Sequence, residues 1–379
     1  MSASHVTKEL MFFQALANER LDEVRSMVRE HPSLLDAFDD RQFGATPLTM
    51  ACFANRRNLV ELLLDLGADP NRRSRWNMGP WSPLHCALFR CDQSLAHYLL
   101  QRGAELDVHT AAGLGWLPQL QQLLDEAPER VHERGGDGCF PLHFAASPDV
   151  VDLLLARGAD IDGRCIDHHS TPLQYQCLKN PQVASHLIRK GATVDLFSAI
   201  LAGQESTVRS LLKDHPEWIH ARIDQTFFPP GPDHNVHNMI TFIVGYRATP
   251  LHAAVLGNRG SMIRLLVEQG ASLEERGGYD DATPLHLAAW NDCVEAAQTL
   301  CELGADLNVR SGKIHNNSPA GWAIVGGSLG VFQYLLEKGA ERLPWFVDDA
   351  RDACLGRFDT VKKVDPQQRR RILELLSGN

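Results

Sequence analysis

Apolar and polar positions alternate along this chain on a helical period, in short blocks. In TPLTMACFANRRNLVELLLDLGADPN, which begins at Thr46, an apolar cluster follows Thr-Pro. A polar turn comes next, then a stripe containing Val60, Leu63 and Leu64. Spacings of three and four residues place those side chains on one helical face. Thr46 before Pro47 predicts an N-cap and a first helical residue, and Gly67 before Ala68 predicts a left-handed helix end. The block therefore reads as two short helices, followed by an Asp/Asn-rich finger.

The block recurs as SPLHCALFRCDQSLAHYLLQRGAELD from Ser82, TPLHAAVLGNRGSMIRLLVEQGASLE from Thr249 and TPLHLAAWNDCVEAAQTLCELGADLN from Thr283. The starts 46 to 82, 249 to 283 and 283 to 318 are 36, 34 and 35 residues apart. Weaker copies run from Phe12, Leu106, Phe140, Thr171 and Val194, two of them with Asp107 or Asp195 where proline is expected. A period near 33 with T-P-L-H-x-A resembles the ankyrin repeat. The resemblance implies an all-α fold: a solenoid of stacked helix-turn-helix units, with β-turn or hairpin fingers and a concave groove. It also implies structural roles for His85, His143, His252 and His286, the histidines of the TPLH motif. One such unit cannot bury its own apolar face, so neighbours must stack.

About ten copies fill residues 1–342, and residues 343–379 depart from the pattern and predict a helical C-terminal cap. A longer repetition lies above the first. The copies near residues 10, 106 and 194 follow their predecessors without a finger, and each ends in a similar loop: REHPSLLDAFDDR, DEAPERVHERGGD and KDHPEWIHARIDQ. The array reads as three modules of about three repeats plus a tenth.

Between residues 223 and 248 one finger swells to an insertion. Its Phe-Phe-Pro-Pro-Gly-Pro entry is turn-rich, and MITFIVGY has strand propensity, which predicts a hairpin or lid over the groove. The groove is where the resemblance places function, on finger tips and on the exposed side of each first helix. The fingers supply Trp76, Trp81, His168, His169, Tyr279, Asp280, Asp281, His315 and Asn316; the helices beneath supply Phe53, Phe89, Arg90, Gln174, Tyr175, Trp290 and Trp322; the insertion supplies His234, His237 and Tyr246. Rigid aromatics beside adaptable polar groups are the composition of binding surfaces.

Charge and composition narrow the reading. A net charge of −10 opposes nucleic acid as a partner, because phosphate contacts need a basic surface. No apolar run is long enough to span a membrane, and the first residues, MSASHVTKELMFF, lack a secretory pattern, so a cytoplasmic protein is expected. Nine scattered cysteines without CxxC spacing read as free thiols. No HExxH, GxSxG, P-loop or dinucleotide fingerprint is present, and neither metal nor cofactor is expected.

Two functions stay open. The first is a monomeric binding protein whose groove holds a protein or peptide segment. The alternative is a groove-sited enzyme, or a binder of a small molecule under the lid, using Asp167, His168, Tyr175, His237 and Asp281 for acid–base chemistry. The stretch GRCIDHHSTPLQYQ (residues 163–176) carries the most polar finger, with Gln174 where the motif histidine normally stands.

Overall fold

The computed structural model of the chain describes residues 3–89, 92–229, 238–311, 317–357 and 364–377. These residues fall into two compact units. One comprises the chain up to residue 176 together with 182–192; the other comprises 177–181, 193–229 and the described residues from 238 onward. The architecture is helical throughout. No extended strand occurs among the described residues; the fingers carry only isolated antiparallel bridges, Asp39 with Ala45, Gly277 with Ala282 and Ser311 with Asn317.

In the first unit the helix pairs are Ala3–Ala17 with Leu21–Glu30, Pro47–Phe53 with Arg57–Asp65, Pro83–Phe89 with Gln93–Gln101, Val108–Leu114 with Leu117–Glu126, Pro141–Phe144 with Pro148–Ala156, and Pro172–Gln176 with Pro181–Arg189, of which only the first residue, Pro181, is assigned to the second unit. The second unit pairs Leu196–Leu201 with Glu205–Asp214, Pro250–Leu256 with Gly260–Glu268, Pro284–Asn291 with Val294–Glu302, and Pro319–Gly326 with Leu329–Glu337. Helices Phe346–Cys354 and Pro366–Ser377 pack on each other and on that last pair.

Local chemistry explains the helix ends. Thr46 and Thr49 form a reciprocal capping box. Asp107 and Asp195 prove to occupy the cap position itself and not the place of the proline. Asp107 accepts from Thr110 N–H at 2.7 Å and Asp195 from Ser198 N–H at 2.9 Å. The Gly-Ala stops, from Gly67 to Gly339, all adopt φ between +90° and +102°, a region open to glycine. The three like loops fold alike, as 3₁₀ turns Pro32–Asp36, Pro128–His132 and Pro216–His220. The preceding residues share one backbone conformation: φ, ψ of −138°, 78° at His31, −146°, 84° at Ala127 and −133°, 73° at His215.

The motif histidines mostly do what the resemblance implies. His143 Nδ1 accepts from Phe140 N–H at 3.1 Å, and its Nε2 lies 3.0 Å from Ser170 O in the next finger. His252 Nε2 reaches Ala282 O and His286 Nε2 reaches Asn317 O, each at 3.0 Å. His85 differs: its Nδ1 accepts instead from Gly136 N–H at 3.3 Å. The copy that follows it has no finger, so His109 makes the forward link, to Glu133 O at 3.0 Å.

The first helix of the fifth pair is only a 3₁₀ turn, because Ser147 caps the second helix early. The carbonyls of His143 and Ala145 are then met from the next repeat by Gln176 Nε2, at 2.8 and 3.1 Å. Replacing Gln176 with Met keeps the volume and strands both carbonyls. We expect a loss of about 1–3 kcal/mol in urea unfolding, and an unchanged midpoint would refute this account.

The described part of the insertion departs from the strand expected of MITFIVGY. MITFIV forms a helix, Met239–Val244, with Asn238 Oδ1 capping Ile240 N–H at 3.0 Å. Ile240 and Val244, four apart, share the buried face, so helical periodicity overrides strand propensity. At the insertion's base Ile223 and Arg247–Ala248 exchange backbone hydrogen bonds, and Phe227 and Phe228 pack on Phe197 at 5.0 and 5.9 Å.

Candidate functional site

The polar side chains of the first unit converge where three fingers meet, residues 72–82, 133–140 and 163–170. Trp81 ends the first of these, and its indole covers Gly136. A Cβ at Gly136 would lie 2.4 Å from two atoms of the ring. The Gly135-Gly136 pair is thus demanded by aromatic rings, since a Cβ at Gly135 would meet His85 and His109 at 2.8 and 2.9 Å. The indole Nε1–H donates to Asp137 Oδ1 at 3.0 Å. Phe53 stands 41% exposed beside it, stacked on Phe89 at 5.4 Å with 17° between the rings. Both phenyl rings meet Trp81 edge-on, at 6.3 and 5.5 Å. The result is an aromatic ledge with Phe53 outermost.

Beyond the ledge lie the acids. Asp137 Oδ2 is 4.0 Å from His168 Nε2, and Asp167 Oδ2 is 3.5 Å from the same nitrogen. Asp167 N–H donates to Asp137 O at 3.1 Å, which ties the two fingers together through backbone. All three side chains are only 12–15% exposed. Burial pushes the Asp137 carboxyl up to about 6, with neighbouring Asp167 adding to the rise and His168 opposing it.

Beneath them lies a second, buried set: Cys139, His143 and Cys165 present ligand-type atoms within 4.8 Å of one another. Cys165 Sγ accepts from Ser170 N–H at 3.3 Å. Its thiol is pulled down to about 3 by the hydrogen bond to Cys139 and by His143, against the opposing effect of burial. Neither Asp137 nor these cysteines stood out in the sequence. Asp137 sits in a Gly-Asp-Gly turn that reads as plain loop, and only folding brings residues 137 and 167 together.

The other expected site residues distribute as follows. His169 neighbours the acids in sequence but does not join them, its carbonyl accepting from Arg164 at 2.8 Å. Trp76 stacks edge-on with Phe43 at 4.7 Å, and Phe43, 64% exposed, escaped the sequence reading. Trp81, Gln174, Tyr175 and Trp322, expected on the surface, are buried. Gln174 Oε1 accepts from Thr171 N–H at 3.0 Å, so it replaces half of the missing histidine's work. Tyr175 packs on His143 and Phe144, and Trp322 on His286 and Trp290. Arg90, His234, His237, His315 and Asn316 lie outside the described residues.

In the second unit Tyr279 is exposed, and its hydroxyl donates to Phe242 O at 2.9 Å, so the insertion helix touches this finger. Phe242 in that helix and Tyr246 two residues beyond it are exposed, and Asp280 and Asp281 adopt left-handed φ of 57° and 54°. Asp281 of the expected catalytic set belongs to this unit, whereas Asp167, His168 and Tyr175 belong to the first. No helix of the described residues is long and apolar enough to cross a membrane.

Stacked helix pairs with left-handed Gly-Ala stops and forward-reaching histidines define a repeat-built helical solenoid. Models of ankyrin repeats match residues 12–110 and 196–311, and a single ankyrin repeat matches 137–165. The chain belongs to the ankyrin-repeat family, whose repeats generally mediate protein–protein interaction.

Among similar proteins, alpha-latrocrustotoxin-Lt1a of Latrodectus tredecimguttatus is 25% identical over 195 residues, 48% of this chain and 12% of the toxin. Human transient receptor potential cation channel subfamily A member 1 is 25% identical over 243 residues, 60% of this chain and 18% of the channel. ANK repeat-containing protein nipk-1 of Caenorhabditis elegans is 29% identical over 138 residues, 34% of this chain and 20% of that protein. The chain thus spans a fifth or less of the length of these relatives. Among solved structures, the human ASB11 ankyrin repeat domain is similar at 25% identity and a TM-score of 0.39, covering 63% of this chain and all of that domain.

Proposed function

We propose that the first unit holds an extended segment of a protein partner against Phe53 and Phe89, with the buried Trp81 ring as their support. The observation that supports this reading is Phe53 itself: a large apolar ring left 41% exposed and braced by two further rings. A rigid, half-exposed aromatic gives large contact area at low entropic cost, as binding hot spots do. The net charge of −10 favours a segment carrying Lys or Arg beside its apolar anchor. A drug-sized ligand commonly needs ~300 Å³ or more of enclosed space. Two clefts among the described residues, of about 240 and 140 Å³, are smaller and involve none of these rings.

The test is selection of a phage-displayed random peptide library on the immobilised full chain. Enriched peptides should pair an aromatic or aliphatic residue with Lys or Arg. Phe53→Ala should weaken their binding about tenfold or more, with thermal unfolding confirming that the variant folds. No enrichment, or equal binding to the variant, overturns the reading.

A further inference from the structure

We infer that Asp137, Asp167 and His168 form a binding site for one divalent transition-metal cation, bridging the fingers at residues 133–140 and 163–170. Two carboxylate oxygens and one imidazole nitrogen, each from a different residue, lie within 4.8 Å of one another. In a tetrahedral site with ligands ~2.1 Å from the ion, donor atoms stand ~3.4 Å apart. The His168–Asp167 separation of 3.5 Å already matches. The His168–Asp137 separation of 4.0 Å closes by a small carboxylate rotation. The imidazole argues for zinc, manganese or iron over calcium or magnesium, whose sites are built from oxygen.

The surroundings orient the donors as supporting groups do in metal sites. Trp81 Nε1–H occupies Asp137 Oδ1, which leaves Oδ2 toward His168. Asp167 is held by its backbone bond to Asp137 O. Ser170 Oγ donates to His168 O at 3.1 Å, and Cys165 N–H to Ser170 O at 3.0 Å closes the finger. Among the described residues no Lys or Arg meets Asp137; its partners are Trp81 and His168. Two carboxylates and an imidazole held this close in partial burial form a donor set suited to a cation.

The buried set of Cys139, His143 and Cys165 is the rival, and its hydrogen bonds disfavour it. Both His143 nitrogens are engaged, with Phe140 N and Ser170 O, and Cys165 Sγ takes Ser170 N–H. Coordination there would break bonds that hold the finger.

The experiment is calorimetric titration of Zn²⁺ into the chelator-stripped full chain, with Co²⁺ absorption as a second readout. We expect one principal binding event. Asp137→Asn (which keeps an oxygen for the Trp81 indole), Asp167→Asn and His168→Gln should each weaken it roughly tenfold or more, with thermal unfolding confirming that each variant folds. Cys139→Ser with Cys165→Ser should leave it unchanged, and the Co²⁺ complex should lack thiolate charge-transfer bands. Absence of binding, binding indifferent to all three Asp/His variants, or binding lost only with the cysteines overturns the inference.

Discussion

Acidification from pH 7 to pH 4 should remove about 3 kcal/mol of stability from the second unit for each of two buried histidines, His252 and His286. Both are lowered from 6.5 to about 4, chiefly by burial, with Arg222 lowering His252 further and Arg276 lowering His286. Nearby Asp281 and Asp280, and the bonds to Ala282 and Asn317, oppose the fall without cancelling it. Between these values the unfolded chain binds more protons than the native one, so stability falls as pH falls. Above 6.5 neither state is protonated at these residues and their contribution is flat; below about 4 both are, and the slope ends. The geometry agrees, since His252 Nδ1 accepts from Thr249 N–H at 3.3 Å and a proton there would oppose that donor.

The chain supplies its own control. At position 174 glutamine stands in the histidine's place and accepts the equivalent N–H at 3.0 Å. A His252→Gln, His286→Gln chain should therefore fold. It should be less stable at neutral pH by about 1 kcal/mol for each forward hydrogen bond lost. It should also be much flatter between pH 7 and 4. Amide exchange in peptides covering Pro250–Leu256 and Pro284–Asn291 measures this locally, as suits a repeat array that need not unfold in one step. Equal acid sensitivity in the variant and the parent would remove these histidines as the cause.

Gly136→Ala should destabilise the first unit by about 1–3 kcal/mol. The added methyl would stand 2.4 Å from Trp81 Cδ2 and Cε2, and an indole braced by Phe53, Phe89 and His85 has little room to retreat. The displaced ring would also loosen its bond to Asp137. A lower urea midpoint and an altered tryptophan emission are the expected readouts. The decisive comparison is a double-mutant cycle: in a Trp81→Ala background the same substitution should cost little. A full cost in that background would mean that backbone strain, and not the ring, forbids the side chain.

Much of this was legible in the chain. The helix pairs, their caps and their Gly-Ala stops depend on residues at most four positions apart, so the repeat carries them wherever it recurs. The three REHPSLLD-like loops folded to one backbone conformation for the same reason. The strand reading of MITFIVGY failed because residue propensity is weaker than a cap at Asn238 and a buried pair at Ile240 and Val244.

What tertiary structure alone decided is which side chains face one another. Asp167 and His168 were readable as a polar finger, but their companion Asp137 lies thirty residues earlier, in a glycine-rich turn with no chemical signature of its own. Trp81 and Asp137 are 56 residues apart and meet only because a finger is skipped between them. Gln174, Tyr175 and Trp322 turned inward because a first helix is covered on several sides by its neighbours, and a single repeat's sequence does not state which side stays open. Repeat identity is a local property of backbone and apolar spacing; the site is a property of stacking, set by how far each finger reaches over the next.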